Sequence, residues 1–148
     1  MSPVPLRADV VIVGGAVMGS AVASFLARDP GFWGTTLVIE RDPTYATAST
    51  TLSVASVRQQ FSTPVNIHMS QFAVQVLKHP DVWFPLLDPI PEFEFVEGGY
   101  LFLASAAGAA ALWANHAVQL EENVPVVIMS PDELSHRFPW LNTEDLAG

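Results

Sequence analysis

The spacing of apolar residues near the start of the chain changes twice. Four consecutive apolar residues, Val10–Val13, are typical of a parallel strand that is buried on both faces. Glycines end this run, and apolar residues at helical spacing then predict a helix over 16–28. Residues 37–39 predict a second strand, and Glu40 stands at its carboxyl end. This layout predicts a β–α–β unit of the kind that binds dinucleotides.

Three further helices are predicted downstream, each behind a hydroxyl residue that can cap its first turn. They are expected over 64–78, 106–122 and 131–137. Thr63 and Ser105 precede the first two. Ser130 and Glu133 have the spacing of a capping box in front of the third.

The later part of the chain also contains signals for strands. Residues 93–97 and 100–104 alternate around the dipeptide Gly98-Gly99 and predict a β-hairpin. Residues 125–129 predict a short strand, and 81–91 predict irregular structure or a short helix. Because a hairpin is antiparallel, it predicts a second structural region after the first β–α–β unit.

The predicted turn between the first strand and helix carries the candidate binding chemistry. Gly14 permits a sharp turn, and Gly19 lets the helix approach the strand closely. The amino end of the helix directs free N–H groups and a positive dipole end at a pyrophosphate. Glu40 can accept hydrogen bonds from ribose hydroxyl groups. The candidate cofactor-binding residues here are Gly14, Gly15, Ala16, Val17, Met18, Gly19, Glu40 and Arg41.

One residue departs from the strict G-x-G-x-x-G pattern. That pattern would place glycine at position 16, and the chain has Ala16, whose methyl group crowds the closest approach of backbone to phosphate. Gly15 can relieve part of this crowding. The whole layout favours a dinucleotide, FAD or NAD, over the alternative of a β–α–β unit in which the glycines only form the turn.

Hydroxyl residues and one arginine after the second strand are further candidates. Ser49 and Thr50 can donate hydrogen bonds to phosphate oxygens over the glycine turn, although a solvated loop would have the same composition. Arg58 is notable because the chain has only six Lys and Arg residues. It can face a flavin or a substrate carboxylate, or lie on the surface.

Composition narrows the class of protein. The 148 residues carry a net charge of −9, which argues against nucleic acid and anionic membranes as partners. The absence of cysteine excludes disulfides and thiol catalysis. The mean hydropathy of +0.34 is high, yet no apolar run is long enough for a transmembrane helix. We therefore expect apolar faces that meet the rest of a larger protein. The start of the chain lacks the layout of a signal peptide, so a cytoplasmic location is the default expectation.

Several motifs together resemble one known family. They are VVIVGGAVMGSAVA at 10–23, IERD at 39–42, AST at 48–50, RQQFS at 58–62, GGYLFLA at 98–104 and SPDELSHRFPWLN at 130–142. In this order they resemble the superfamily of FAD-dependent oxidoreductases that contains D-amino-acid oxidase and sarcosine oxidase. The resemblance extends over essentially the whole chain.

The resemblance implies an α/β fold in which a Rossmann-like FAD-binding β–α–β unit is joined to an α+β substrate domain. Family members are more than twice as long, so the chain is expected to be an amino-terminal piece with both domains incomplete. Residues 1–80 would begin the FAD-binding domain and 81–148 the substrate domain. The expected partners are a small amine or amino-acid substrate and the remainder of the parent chain or another subunit.

The implied reaction is oxidation of an amine through FAD, with Arg58 near the flavin ring. The resemblance transfers no catalytic base to any residue of this chain. One alternative is a protein that keeps the fold without catalysis and serves in assembly or interaction. Another is an NAD-binding dehydrogenase domain, for which Glu40 is equally suitable, although the motifs after residue 48 weigh against it.

Overall fold

A computed structural model of the chain describes residues 7–148. These residues form two compact units, of which the first ends at Ser56 and the second is Val57–Gly148. The predicted division into domains at residue 80 concerns the arrangement of the complete family fold, and it stays a prediction.

The first unit is built on a parallel strand pair joined by a helix. Strand β1 is Val10–Val13, helix α1 is Val17–Arg28 and strand β2 is Thr36–Ile39. The strands pair in parallel from Val10 opposite Thr36 to Val13 opposite Ile39. Because α1 packs against both strands, the carboxyl ends of β1 and β2 lie side by side next to the amino end of the helix. The predicted α/β class and its β–α–β unit are confirmed.

The regular elements of the second unit are helices. Its helices are α2 (Pro64–Lys78), α3 (Pro80–Trp83), α4 (Ala109–Glu121) and α5 (Pro131–Arg137). Helices α2 and α4 pack on each other. The most deeply buried apolar side chains among the described residues are Ile67, Val74, Val124 and Leu134, all of which belong to this unit.

The predicted helices are present, with two differences at their starts. The capping box is confirmed, because Ser130 Oγ accepts from the Glu133 N–H and the Glu133 carboxylate accepts from the Ser130 N–H. Thr63 precedes α2, but its side chain makes no capping hydrogen bond. Helix α4 begins at Ala109 after Gly108, so the prediction of a cap at Ser105 is wrong. Ser105 instead forms an antiparallel bridge with Leu146.

The predicted β-hairpin is absent, since neither 93–97 nor 100–104 is a strand. Glu94 has φ of +48°, which is incompatible with a regular strand. Ala104, at the end of the second predicted strand, exchanges backbone hydrogen bonds with Ala147 and Gly148 instead. Because a lone two-stranded hairpin is marginally stable, this competing pairing is sufficient to replace it.

The short strand predicted over 125–129 is also absent. Residues 125–129 run without a partner strand, and Val126 donates to the carbonyl of Val124 two residues earlier at 2.8 Å. A β-branched run favours extended backbone, but a strand needs a neighbour that accepts its hydrogen bonds. In the described part of the chain, no helix has the length and apolar character needed to cross a membrane.

Candidate functional site

The turn after β1 requires glycine at its first position. Gly14 has φ of +97°, a region that side-chain-bearing residues rarely adopt. Its N–H donates to the carbonyl of Ile39 at 2.8 Å, which continues the pairing of β1 with β2 for one more residue. An added Cβ at Gly14 would meet nothing within 4 Å, so the constraint is the backbone angle and the space above the turn is open.

Gly19 is required for a different reason, which is close approach. A Cβ built on Gly19 would lie 1.8 Å from the carbonyl oxygen of Gly14 and 3.1 Å from Cγ2 of Ile12. The obstructing oxygen belongs to the backbone, so no side-chain rotation can clear it. The predicted role of Gly19, close packing of α1 on the turn and on β1, agrees with this geometry.

Ser20, which is not among the cofactor-binding residues predicted from the sequence, connects the helix to the turn by a hydrogen bond. Its hydroxyl donates to the carbonyl of Gly15 at 2.5 Å. A hydroxyl in the first two turns of a helix commonly bonds to backbone behind it, and this tendency was the available signal. The bond fixes the carbonyl of Gly15, while the N–H of the same residue faces the end of β2.

The amino end of α1 has the properties of an anion-binding site. The helix starts from Ala16 with no side-chain cap and no acidic residue in its first turn. The N–H groups of a first turn have no acceptor within the helix, and here Val17 and Met18 are exposed. The site therefore presents uncompensated N–H groups and the positive end of the helix dipole.

Ala16 imposes no backbone strain at this position. Its φ of −66° and ψ of −169° lie in the extended region that any residue adopts. The position that a strict dinucleotide motif gives to glycine thus does not require glycine for its backbone angle here. The methyl group remains the one departure from that motif at the turn.

Glu40 joins the end of β2 to the glycine turn. Its Oε2 accepts from the Gly15 N–H at 2.7 Å, and its Oε1 accepts from the Asp42 N–H at 2.8 Å. These bonds favour the ionised form, so the N–H of Asp42, followed by that of Gly15, lowers the pKa of Glu40 below its ordinary value. The carboxylate is only partly covered and can accept further hydrogen bonds, as a ribose-binding acid must.

The loop after Glu40 is held by its own hydrogen bonds. Asp42 Oδ1 accepts from both the N–H and the hydroxyl of Thr44, and these bonds lower the pKa of Asp42. Tyr45 follows with φ of +55°. Its hydroxyl would lie 3.0 Å from a Cβ built on Gly15. The loop thus returns to the glycine turn, which places at the site an aromatic residue that the sequence did not single out.

Three other predicted residues lie on the same unit, away from this contact. Arg41, Ser49 and Thr50 are all exposed. Among residues 7–56, no hydrogen bond connects the side chains of Ser49 or Thr50 with the glycine turn. The carbonyl of Thr50 accepts from the N–H and hydroxyl of Ser53, which makes a local turn. A role for these three residues in cofactor binding stays a prediction.

Arg58 belongs to the second unit, where two aromatic rings hold it. Its guanidinium carbon lies 4.7 Å from the ring centre of Phe61 and 5.4 Å from that of Phe102. Buried Gln119 supports this arrangement by donating from Nε2 to the carbonyl of Phe61 at 3.2 Å. Aromatic faces attract a guanidinium group but leave its N–H groups available to an anion.

The groups at the glycine turn match the ADP part of a dinucleotide. Exposed helix N–H groups suit a pyrophosphate, the Glu40 carboxylate suits ribose hydroxyls, and the missing side chain at Gly14 leaves room for close approach. No cluster of three or more metal-ligating side chains exists in the described part of the chain. A dinucleotide is therefore the ligand class that this site fits.

Comparison with known proteins gives one family. Residues 9–148 match the family described as FAD dependent oxidoreductase. The Bos taurus protein named FAD-dependent oxidoreductase domain-containing protein 1 is 46% identical over 146 residues, which cover 97% of this chain and 30% of that protein. Its Xenopus laevis namesake is 46% identical over 147 residues, covering 97% and 29%.

A less similar relative also matches nearly all of this chain with a small part of its own length. The Drosophila melanogaster homolog of that protein is 37% identical over 139 residues, covering 94% of this chain and 26% of the relative. The chain thus spans about 30% of the length of the curated relatives it matches. No solved structure matches the chain significantly.

Proposed function

The chain belongs to the family of FAD-dependent oxidoreductases, and on this premise we propose that the whole protein oxidises a C–N bond of an amino acid or an N-methylated amine. FAD is the cofactor of the family. When bound, it supplies the two-electron acceptor that amine oxidation requires. The carbon beside nitrogen would lose a hydrogen with its electron pair to this acceptor, and the nitrogen would lose a proton. Water would then hydrolyse the resulting imine to a carbonyl compound and an amine.

The main support for FAD as the cofactor is the hydrogen bond between the Glu40 carboxylate and the N–H of Gly15 in the glycine turn. In our proposal, the N–H groups of Val17 and Met18 bind the pyrophosphate, and the Glu40 carboxylate binds the adenosine ribose. Gly14 leaves open space above the turn for the cofactor, while the missing side chains of Gly15 and Gly19 let other protein atoms pack against the turn. Ala16 lines the same surface, while Arg41, Ser49 and Thr50 add contacts from the loops after β2.

Arg58 is the proposed ligand of the substrate carboxylate. Its guanidinium group is fixed by Phe61 and Phe102, and no ion pair with Arg58 occurs among the described residues. An arginine in this state has planar N–H donors that suit a bidentate carboxylate. This choice favours amino acids and N-methylated amino acids over simple amines.

The test uses the protein produced from its whole reading frame. We expect the purified protein to be yellow, and to release FAD on denaturation. Anaerobic addition of N-methylated amino acids and of D-amino acids should bleach the flavin absorption if either class is the substrate. Substrates that lack the carboxylate should bleach it more slowly, and Arg58→Lys should reduce that difference.

Three results would contradict the proposal in different ways. A colourless protein that takes up no added FAD would favour the fold serving in assembly or interaction without catalysis. A yellow protein that is bleached by none of these amines would keep the cofactor assignment and refute the substrate class. Tight NADH binding without FAD uptake would instead indicate a dehydrogenase domain.

A further inference from the structure

The Tyr45 hydroxyl lies beside Gly15, in the glycine turn of the proposed ADP site. A Cβ on Gly15 would be 3.0 Å from this hydroxyl, 3.4 Å from Cβ of Glu40 and 3.4 Å from Cγ1 of Val38. The phenol and the stem of the ribose-binding acid therefore converge beside one glycine. A ligand bound to Glu40 on the side of Gly15 would therefore lie near the Tyr45 hydroxyl.

Local hydrogen bonds order the backbone that carries this side chain. The Tyr45 N–H donates to the carbonyl of Asp42 at 3.0 Å, and the Ala48 N–H donates to the carbonyl of Tyr45 at 3.0 Å. The Asp42 carboxylate holds Thr44 between them at 3.0 Å and 2.6 Å. The loop backbone is thereby ordered on both sides of Tyr45, which directs the ring to the glycine turn.

The hydroxyl itself has no hydrogen-bond partner among residues 7–148. Its neighbour Glu40 already accepts from two backbone N–H groups, which fix the carboxylate for a ligand. A phenol both donates and accepts, so it complements phosphate oxygens as well as ribose hydroxyls. Tyr45 is 37% exposed, and its unpaired hydroxyl is placed for a ligand atom.

We propose that Tyr45 is a cofactor-binding residue whose hydroxyl hydrogen-bonds an oxygen atom in the ADP part of FAD. This inference rests on the proposed function, because it takes FAD as the ligand of the glycine turn. It adds to that function a contact from the loop after β2, outside the glycine motif and its acid. The contact supplies at the turn a donor that does not depend on the backbone around Ala16.

The experiment measures FAD affinity of the refolded apoprotein from the whole reading frame by quenching of flavin fluorescence. Tyr45→Phe keeps the ring and removes the hydroxyl. We expect it to raise the Kd for FAD about 3- to 10-fold, the change that the loss of one hydrogen bond produces. Tyr100→Phe is the matched control, because the chain contains two tyrosines, and it should leave the Kd unchanged.

Two ligands locate the contact on FAD. ADP used as a competitor should lose affinity in Tyr45→Phe by the same factor as FAD. FMN, which lacks the adenosine part, should compete equally well with both proteins. An effect on FMN with none on ADP would overturn the proposal, since the hydroxyl would then act at the flavin end.

The outcomes separate this inference from the proposed function. If Glu40→Gln weakens FAD binding and Tyr45→Phe leaves it unchanged, the proposed cofactor site holds and the Tyr45 contact is refuted. A tighter complex with Tyr45→Phe would also refute it, because the hydroxyl would then obstruct the cofactor. Failure of the wild-type protein to bind FAD would refute both together.

A double-mutant cycle tests the underlying geometry without any cofactor. Gly15→Ala should lower the melting temperature of the apoprotein, because the new methyl group meets the Tyr45 hydroxyl. Tyr45→Phe should restore a large part of that loss when the two substitutions are combined. Strictly additive effects would show that the hydroxyl does not lie beside Gly15, and the proposal would fail with it.

Discussion

The Glu40 carboxylate accepts a hydrogen bond of 2.7 Å from the backbone N–H of Gly15, which lies 25 positions earlier in the chain. One acid thereby connects the end of the second strand with the turn after the first. The same carboxylate is the proposed ribose ligand. Its position is thus fixed by the protein before any cofactor arrives, and this preorganisation limits what binding must order.

Glu40→Gln should weaken FAD binding by about 10-fold or more, the scale of a hydrogen bond to a charged group. A glutamine side chain offers one oxygen and one NH₂ group where the structure requires two acceptors for Gly15 and Asp42. One backbone N–H then faces another donor. Fluorescence titration measures the change, and Glu144→Gln, at an exposed position outside the site, is the control. Equal loss in both variants would contradict the assignment.

Acidification should abolish the contribution of the ionised Glu40 carboxylate to the stability of the fold. Hydrogen bonds from Asp42 and Gly15 hold its pKa below the ordinary value of 4.5. The stabilisation is therefore complete above that value and disappears as the pH falls through the lowered pKa. Melting temperatures of wild type and Glu40→Gln should differ at neutral pH and converge in acid. A difference that is constant with pH would show that ionisation of Glu40 is irrelevant.

Gly19→Ala should disrupt the β–α–β unit. The new methyl group would lie 1.8 Å from the Gly14 carbonyl oxygen, so α1 must move away from the turn. We expect a loss of about 3 kcal/mol or more in the free energy of unfolding, together with loss of FAD. Chemical denaturation measures the first quantity. Gly98→Ala, where an added Cβ meets nothing within 4 Å, is the control and should be nearly neutral.

Ser130→Ala should destabilise α5 by about 1 kcal/mol. The Ser130 N–H and hydroxyl donate to Glu133 and lower the pKa of that carboxyl group. The substitution removes the hydroxyl that Glu133 N–H needs as acceptor. Hydrogen exchange of the α5 amides should increase. Ser135→Ala, within the same helix, leaves the capping box intact and should not produce that increase.

The 148-residue chain produced alone should bind hydrophobic dyes and associate. Its β1–β2 pair has a free edge on each side within residues 7–148, and Val13 on β1 is 85% exposed. Unpaired edges and contiguous apolar surface favour association. Dye fluorescence and sedimentation measure it, and Val13→Lys should reduce both. A sharply melting monomer that binds no dye would contradict this expectation.

Local signals were sufficient to predict the first unit. The turn glycines and α1 are neighbours along the chain, and Glu40 stands at the spacing typical of a β–α–β unit, so their geometry follows from residue type and spacing. The same holds for the capping box at Ser130, whose partners are three positions apart. These features depend little on the rest of the fold.

The prediction of a hairpin around Gly98-Gly99 was wrong because strand formation depends on residues distant in the sequence. Its alternating pattern describes what the side chains favour, but a strand exists only where a neighbour accepts its hydrogen bonds. Ala104 forms backbone hydrogen bonds with residues 147–148, more than 40 positions away, and the local sequence contains no signal for this pairing. Tyr45 was missed similarly, since its contact with Gly15 depends on the path of the loop through Asp42 and Thr44.

The contact between Gly15 and Tyr45 has a consequence for the evolution of the family. The phenol hydroxyl lies 3.0 Å from the position of a Cβ at Gly15, so a larger residue at position 15 requires the side chain at position 45 to give way. Relatives that carry a larger residue at the position of Gly15 should carry a shorter one at the position of Tyr45. Paired substitution at these two sites across an alignment would therefore record the contact independently of any biochemical measurement.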